Sequence, residues 1–369
     1  MRRSMPAAAA ATLLLSTVLA GCATGTSAAS SASAQLVGVA MPTTTSTRWV
    51  ADGKNVSAQL TALGHQVDLQ YAQDDVPTQV AQVQEMIDEG VDALIVGAVD
   101  GTALKDVLAQ AGAKDIPVIS YDRLIRDSPD VDYYATFDNL RVGVQQATTL
   151  LQGLGVLDAG GAPTGATGPF SIELFAGSPD DNNATVFYDG AMSVLRPYLD
   201  SGVLVVPSGQ TDFDAIATPA WSGKTAGERM RTLLPAYESS GRRLDGVLSP
   251  YDGITIELLA ATAEIGYGTA AQPWPVMTGQ DAEVASVKSI IAEEQYATIY
   301  KDTRQLAEVA VSMVDALLNG QEPETNDITS YDNGVEVVPS YLLRSQVVTK
   351  ASHQDVLVAS GYYTQQELG

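Results

Sequence analysis

The chain has 369 residues, 45% of them hydrophobic, with a formal net charge of −24 and a single cysteine. So acidic a surface repels phosphate backbones, which excludes nucleic acid as a partner, and offers no basic patch for anionic lipid. One thiol allows no intrachain disulfide and no cysteine-based metal cluster, and the length exceeds what one hydrophobic core organises, so two lobes are expected.

At the N-terminus, Arg2 and Arg3, an apolar run over 7–19 and small residues before Cys22 read as an export signal covering 1–21. The apolar run is too short to span a bilayer. Leu19-Ala20-Gly21-Cys22 resembles a bacterial lipobox, which makes Cys22 the expected lipidation site and 22–35 a lipidated, flexible tether.

From residue 36 a short apolar strand followed by an amphipathic helix recurs. Strands are predicted at 36–41, 66–71, 92–97, 117–121 and 133–137, then at 170–176, 203–206, 245–249, 275–279 and 296–300. Val76, Val80, Val83 and Ile87 mark a helix with Pro77 in its first turn and Gly90 past its end. Leu306, Val309, Ala310, Met313, Val314, Leu317 and Leu318 mark another, stopped by Gly320. Asp75, Asp302 and Thr303 read as helix N-caps. Strands that are apolar throughout and alternate with helices predict an α/β protein with two doubly wound parallel sheets.

Ligands of such sheets bind beyond the carboxyl ends of the strands. Those ends carry Arg48 and Trp49; Asp122 and Arg123; Asn182 and Asn183; Asp252; Gln280 and Asp281; and Lys301, with Trp221 before a helix. Carboxylates, amides and cations suit sugar hydroxyls, each of which donates and accepts, and indole faces suit the apolar C–H faces of a pyranose. Asp122 and Arg123 could instead form a structural ion pair, and Trp49 and Trp221 could be core residues. Trp274, between two prolines, reads as packing. The acidic run 127–132 lacks the glycine and distal glutamate of a calcium loop, and the glycine-rich stretch 160–168 precedes a strand rather than opening a helix. No metal or cofactor is predicted.

Several longer runs carry a family resemblance. AMPTTTSTRW, YDRLIRDS, YYATFDN, AGSPDDNNA, SPYDGI, TGQDAEVASVKSIIAEEQYATIYKDTR and YDNGVEVVPSYLL resemble the multiple-sugar-binding proteins of the ribose, galactose and xylose-binding family over nearly the whole chain after the tether. The resemblance implies a type I periplasmic binding protein fold. Its first lobe would comprise 36–138 plus 302–336 and its second 139–301 plus 337–369, with crossings near Asp138, Lys301 and 331–338. It implies that Arg48, Trp49, Asp122 and Arg123 contact a monosaccharide from the first lobe, and Asn182, Asn183, Trp221, Asp252, Asp281 and Lys301 from the second. Tyr251 stands where ribose- and galactose-binding relatives often have Asn. The function implied is capture of an aldopentose or aldohexose by a monomeric, non-enzymatic protein for the permease and ATPase subunits of an ABC importer. A sensor presenting sugar to a membrane receptor, and a glycoside hydrolase built on Asp122, Asp252 and Asp281, are the alternatives.

Overall fold

The computed structural model describes residues 34–369, so the expected signal, Cys22 and the tether up to residue 33 lie outside the described residues. Six parallel strands form the first sheet: β1 (Leu36–Met41), β2 (Gln66–Tyr71), β3 (Ala93–Val96), β4 (Val118–Tyr121), β5 (Tyr133–Phe137) and β11 (Ser340–Leu343), in the order β11-β5-β4-β3-β1-β2. The second sheet holds β6 (Phe170–Leu174), β7 (Leu204–Val205), β8 (Gly246–Leu248) and β9 (Val276–Met277), in the order β7-β6-β8-β9. Tyr296 N donates to Met277 O and Ile299 N to Gly279 O, which extends this sheet through β10 (Ala297–Tyr300) to its antiparallel partner β12 (Gln346–Thr349). Apart from β11 and β12, the two sheets share one strand order, in which the second strand lies outside the first and the third to fifth follow on the other side.

The helices cover both faces of each sheet. On the first sheet, α1 (Thr47–Ala62) and α10 (Thr303–Leu318) bury Leu60, Leu306, Ala310 and Val314 against Val37, Val39 and Ile95, while α2 (Val76–Glu89) and α3 (Lys105–Gly112) cover the opposite face with Val83, Ile87 and Leu108. On the second sheet, α4 (Asn139–Gly153) and α5 (Asn182–Asp200) pack Leu150 and Leu195 on Ile172 and Leu174. After the single turn α6 (Phe213–Ile216), helices α7 (Gly223–Ser240) and α8 (Asp252–Ala263) cover the other face with Met230, Leu234 and Leu258. Helix α9 (Val284–Ile291) and the terminal turn α11 (Gln365–Leu368) enclose a smaller cluster around Val287, Leu357 and Leu368. This burial on both sides explains strands such as β3, whose ALIV is buried at every position. No helix among the described residues is long and apolar enough to cross a membrane.

The ends of α2 follow its sequence: Asp75 accepts from Thr78 N and Gly90 closes the helix at φ 81°. Asp302 caps α10, whereas Thr303, expected to cap as well, is the first helical residue, and its hydroxyl meets Asn55 and Tyr362 instead. The chain passes between the sheets after Phe137, after Tyr300 and after Leu343. The third passage differs from the sequence expectation, which put 331–338 at the crossing and everything from 337 in the second lobe. Residues 331–338 instead turn back on themselves through Val338 N to Tyr331 O, and β11 then pairs in parallel with β5 of the first sheet. A strand of four residues pairs wherever an edge is offered, and the open edge of β5 is a tertiary feature.

Helices α4 and α5 touch through backbone. A Cβ on Gly143 would collide with the carbonyl oxygen of Phe187, and one on Gly190 with that of Leu140. Gly143→Ala is therefore expected to cost about 1–3 kcal/mol, the range for overpacking a tight contact, read as a lower urea midpoint at unchanged slope. An unchanged midpoint would show that the helices have room to part.

Candidate functional site

At the carboxyl ends of both sheets lies a cavity lined by Arg48, Trp49, Asp122, Arg123, Asn183, Trp221, Asp281 and Lys301, together with Ser46, Asp181, Phe187, Tyr251 and Gln280. The first turn of α1 brings Arg48 over the end of β4, where Nη1 and Nη2 donate to Asp122 Oδ2 and Oδ1 at 3.2 and 2.5 Å. Lys301, where the chain leaves β10, reaches Asp281 Oδ1 at 3.0 Å and Asp122 Oδ1 at 3.9 Å. Burial alone would raise the Asp122 carboxyl, but the Arg48 and Lys301 charges and the Arg48 hydrogen bonds hold it down to about 2. It is a carboxylate at any physiological pH.

Three of the lining residues have left-handed backbone: Asp122 (φ 59°), Trp221 (φ 52°) and Asp281 (φ 88°). The Asp122 conformation is held by its own peptide, whose carbonyl accepts from Asn183 Nδ2 at 2.7 Å, Thr136 Oγ1 at 2.9 Å and Tyr134 Oη at 2.5 Å. Asn183 is thereby anchored at both ends of its amide, because its Oδ1 accepts from Asn139 Nδ2 at 2.9 Å and lies 3.0 Å from the Tyr134 hydroxyl, whose one hydrogen it shares with the Asp122 carbonyl. Trp221 lies against Gly177, donates from Nε1 to Asp181 Oδ2 at 3.2 Å, and stands edge-on to Phe187 and Tyr251. Trp49 lines the cavity with the Arg48 and Arg123 guanidinium groups 4.8 and 5.2 Å from its ring, and also packs with the first-sheet core. Trp274 packs against Gly268, away from the cavity.

Asp122 and Arg123 do not pair with each other. Arg123 Nε meets Asp181 Oδ2 at 3.0 Å, and its Nη1 donates to the carbonyl of Ala98. Since Asp181 belongs to the second lobe, this ion pair crosses the cleft, as does Ser46 Oγ donating to Glu283 Oε1 at 3.2 Å. The lobes are thus in contact around the cavity.

Two residues expected at the site do not line it. Asn182 is the first residue of α5, and it is Asn183 that enters the cavity. Asp252 is completely buried beneath the cavity floor, accepting from Glu283 N at 2.9 Å, Thr298 Oγ1 at 3.0 Å and Gln295 Nε2 at 3.1 Å. It anchors the loop that carries Gln280 and Asp281. Among the lining residues, sequence reasoning missed Phe187 and assigned no sugar contact to Ser46, Asp181, Tyr251 or to Gln280, which it placed at a strand end. Phe187 was within reach, one turn beyond Asn183 on the same face of α5, and Gln280 adjoins Asp281; Asp181 reads as the helix cap that it also is.

Replacing Asp252 by Ala leaves those donors buried without an acceptor and is expected to destabilise the fold by about 3 kcal/mol. Chemical denaturation measures this, and a loss under about 0.5 kcal/mol, typical of an exposed site, would remove Asp252 from its anchoring place.

The match to known proteins follows this geometry. Residues 37–322 match the model of the periplasmic binding protein domain. The chain is 54% identical over 332 residues to the multiple sugar-binding periplasmic receptor ChvE of Rhizobium radiobacter, covering 90% of this chain and 92% of that one. It is 32% identical to the D-xylose-binding periplasmic protein of Escherichia coli, with the same coverage of 90% and 92%. Among solved structures, an ABC transporter solute binding protein from Clostridium phytofermentans with bound β-D-glucose superposes with a TM-score of 0.85 at 45% identity, covering 91% of this chain and all of that one. The chain belongs to the periplasmic binding protein family and has its type I, two-lobed fold.

Proposed function

We propose that this protein captures a monosaccharide, an aldopentose or aldohexose such as xylose, galactose, glucose or arabinose, in the cavity between its lobes and delivers it to an ABC importer. The observation that carries the reading is the cavity itself: carboxylates and cations paired with one another, with indole and phenyl rings beside them, at the carboxyl ends of strands from both sheets. Asp122 and Asp281 accept from sugar hydroxyls, Arg48, Arg123 and Lys301 donate to them, and Gln280 Oε1, buried without a hydrogen-bond partner, offers one more acceptor. Trp49, Trp221 and Phe187 supply apolar surface for the ring C–H groups. The names of the relatives, which bind several sugars, xylose or glucose, agree with this chemistry.

Sugar lying between the lobes adds contacts to both, so it favours the closed arrangement, and the importer's permease recognises that shape. The reading is binding without catalysis: Asp122, held at about 2, cannot serve as the general acid a glycosidase needs near neutral pH, and Asp252, whose carboxyl burial raises, does not line the cavity. The protein acts as a monomer held to the membrane by lipid on Cys22, and that anchor supplies the membrane affinity that a net charge of −24 does not.

A panel of monosaccharides scanned by thermal shift is expected to yield at least one that stabilises the protein, by about 2.7 kcal/mol at 100 times its dissociation constant. Trp221→Ala should weaken that sugar by roughly 1–3 kcal/mol in calorimetric titration. Unchanged affinity with a lowered Tm would make Trp221 a packing residue, and a panel without any stabilising sugar would end the sugar reading. Cys22→Ser should release the protein from the membrane fraction or leave it unprocessed with sugar affinity intact; a processed variant that still partitions into detergent would refute the anchor.

A further inference from the structure

Arg48 is gripped on two edges. Its Nη1 and Nη2 face Asp122, and on the other edge Nε lies 2.9 Å from Oδ2 of Asp52, one turn further along α1. Asp52 has no exposed surface and does not line the cavity; its Oδ1 accepts from the Tyr121 hydroxyl at 2.6 Å. Tyr121 immediately precedes Asp122. Arg48, Asp52, Tyr121 and Asp122 therefore close a ring that ties the first two turns of α1 to the end of β4. The ring leaves only one edge of the guanidinium toward the cavity, where Nη1 stands 3.9 Å from Asp281 Oδ1.

We propose that Asp52 is a positioning residue for the sugar cavity, setting the rotation of the Arg48 guanidinium through its ionised carboxylate. This rests on the sugar-binding reading above. The charged and titratable groups around Asp52 are Arg48 on α1, Tyr121 on β4, Asp122 just after it, Asp281 from the second lobe, Tyr71 on β2 and Tyr362 near the C-terminus. Burial, with a smaller push from the Asp122 and Asp281 charges, outweighs the pull of Arg48 and the Tyr121 hydroxyl and leaves the Asp52 carboxyl raised to about 7. Oδ1 is occupied by the tyrosine hydroxyl, while Oδ2 has no hydrogen-bond partner and only its charge against Arg48 Nε. A proton added to Asp52 goes to Oδ2, which removes the charge and turns a hydrogen toward the guanidinium N–H. Arg48 then loses its rear hold while keeping Asp122, so its cavity-facing edge is free to swing. Sugar affinity is accordingly high when Asp52 is ionised and falls as the pH drops through the neutral range.

The test is calorimetric titration of the full-length protein with a sugar that the wild type binds, from about pH 5.5 to about pH 8.5. The wild-type Kd is expected to be about tenfold weaker at the acid end, the scale of one hydrogen bond to a charged group. Asp52→Asn, which has the same shape without the charge, should give the weaker Kd at every pH. Tyr121→Phe removes a donor that favours the carboxylate and should move the inflection to higher pH. A wild-type Kd that ignores pH overturns the proposal, as does a slope that survives in Asp52→Asn. So does an Asp52→Asn protein of lowered Tm whose Kd and pH profile match the wild type, since that marks Asp52 as structural alone. If Asp52→Asn does not fold, Tyr121→Phe decides, and an unmoved inflection overturns the proposal. Wild-type protein that binds no monosaccharide at any pH removes the sugar reading itself, an outcome distinct from binding that Asp52 does not influence.

Discussion

Taking a charge out of water costs several kcal/mol unless an opposite charge and hydrogen bonds meet it, and the junction of the two lobes depends on that constraint. Arg48, Asp122, Asp281 and Lys301 come from four separate stretches of chain, and each is less than a tenth exposed. None is tolerable there alone. Together they neutralise one another at 2.5 to 3.9 Å. Arg123 and Asp181 repeat the arrangement a few residues away and tie the first lobe to the second. Arg48 with Asp122 and Lys301 with Asp281 pair within their own lobes, and the contacts from Arg48 to Asp281 and from Lys301 to Asp122, both at 3.9 Å, join the two pairs across the cleft. The groups this pairing fixes are the donors and acceptors that the proposed ligand would meet, held in place before it arrives.

The backbone serves this network at some conformational cost. Asp122, Trp221 and Asp281 all adopt the left-handed region that non-glycine residues avoid, and each lies on the cavity wall. The compensation is visible at Asp122, whose carbonyl takes three donors, one of them from Asn183 of the second lobe. Asp252 acts similarly from below, fixing the loop that presents Gln280 and Asp281. The cavity is therefore shaped in part by residues, such as Thr136, Tyr134 and Asp252, that do not face it.

Local pattern made much of this legible. Strand and helix positions follow from apolar runs and their periods, because a sheet covered on both faces needs apolar residues throughout and a helix needs one apolar stripe. Strand ends differed from expectation by a residue or two in β3, β4 and β6 through β10, as hydrogen bonding at an edge decides where a strand stops. Short late segments were harder: β11 and β12 carry no signal of which sheet they join, and β11 went to the first.

By itself the sequence determined two doubly wound lobes, the strand ends as the location of the cavity, and most of the side chains that line it, since all of these depend on residues near one another in the chain. Only the tertiary structure decided who pairs with whom. Asp122 turned from its neighbour Arg123 to Arg48, 74 residues away; Asp252 went beneath the floor and Asn183 rather than Asn182 into the wall; and Asp52, an unremarked helix residue, came to stand behind Arg48. Electrostatic partnership is set by distance and by exclusion of water, and neither exists until distant segments have packed.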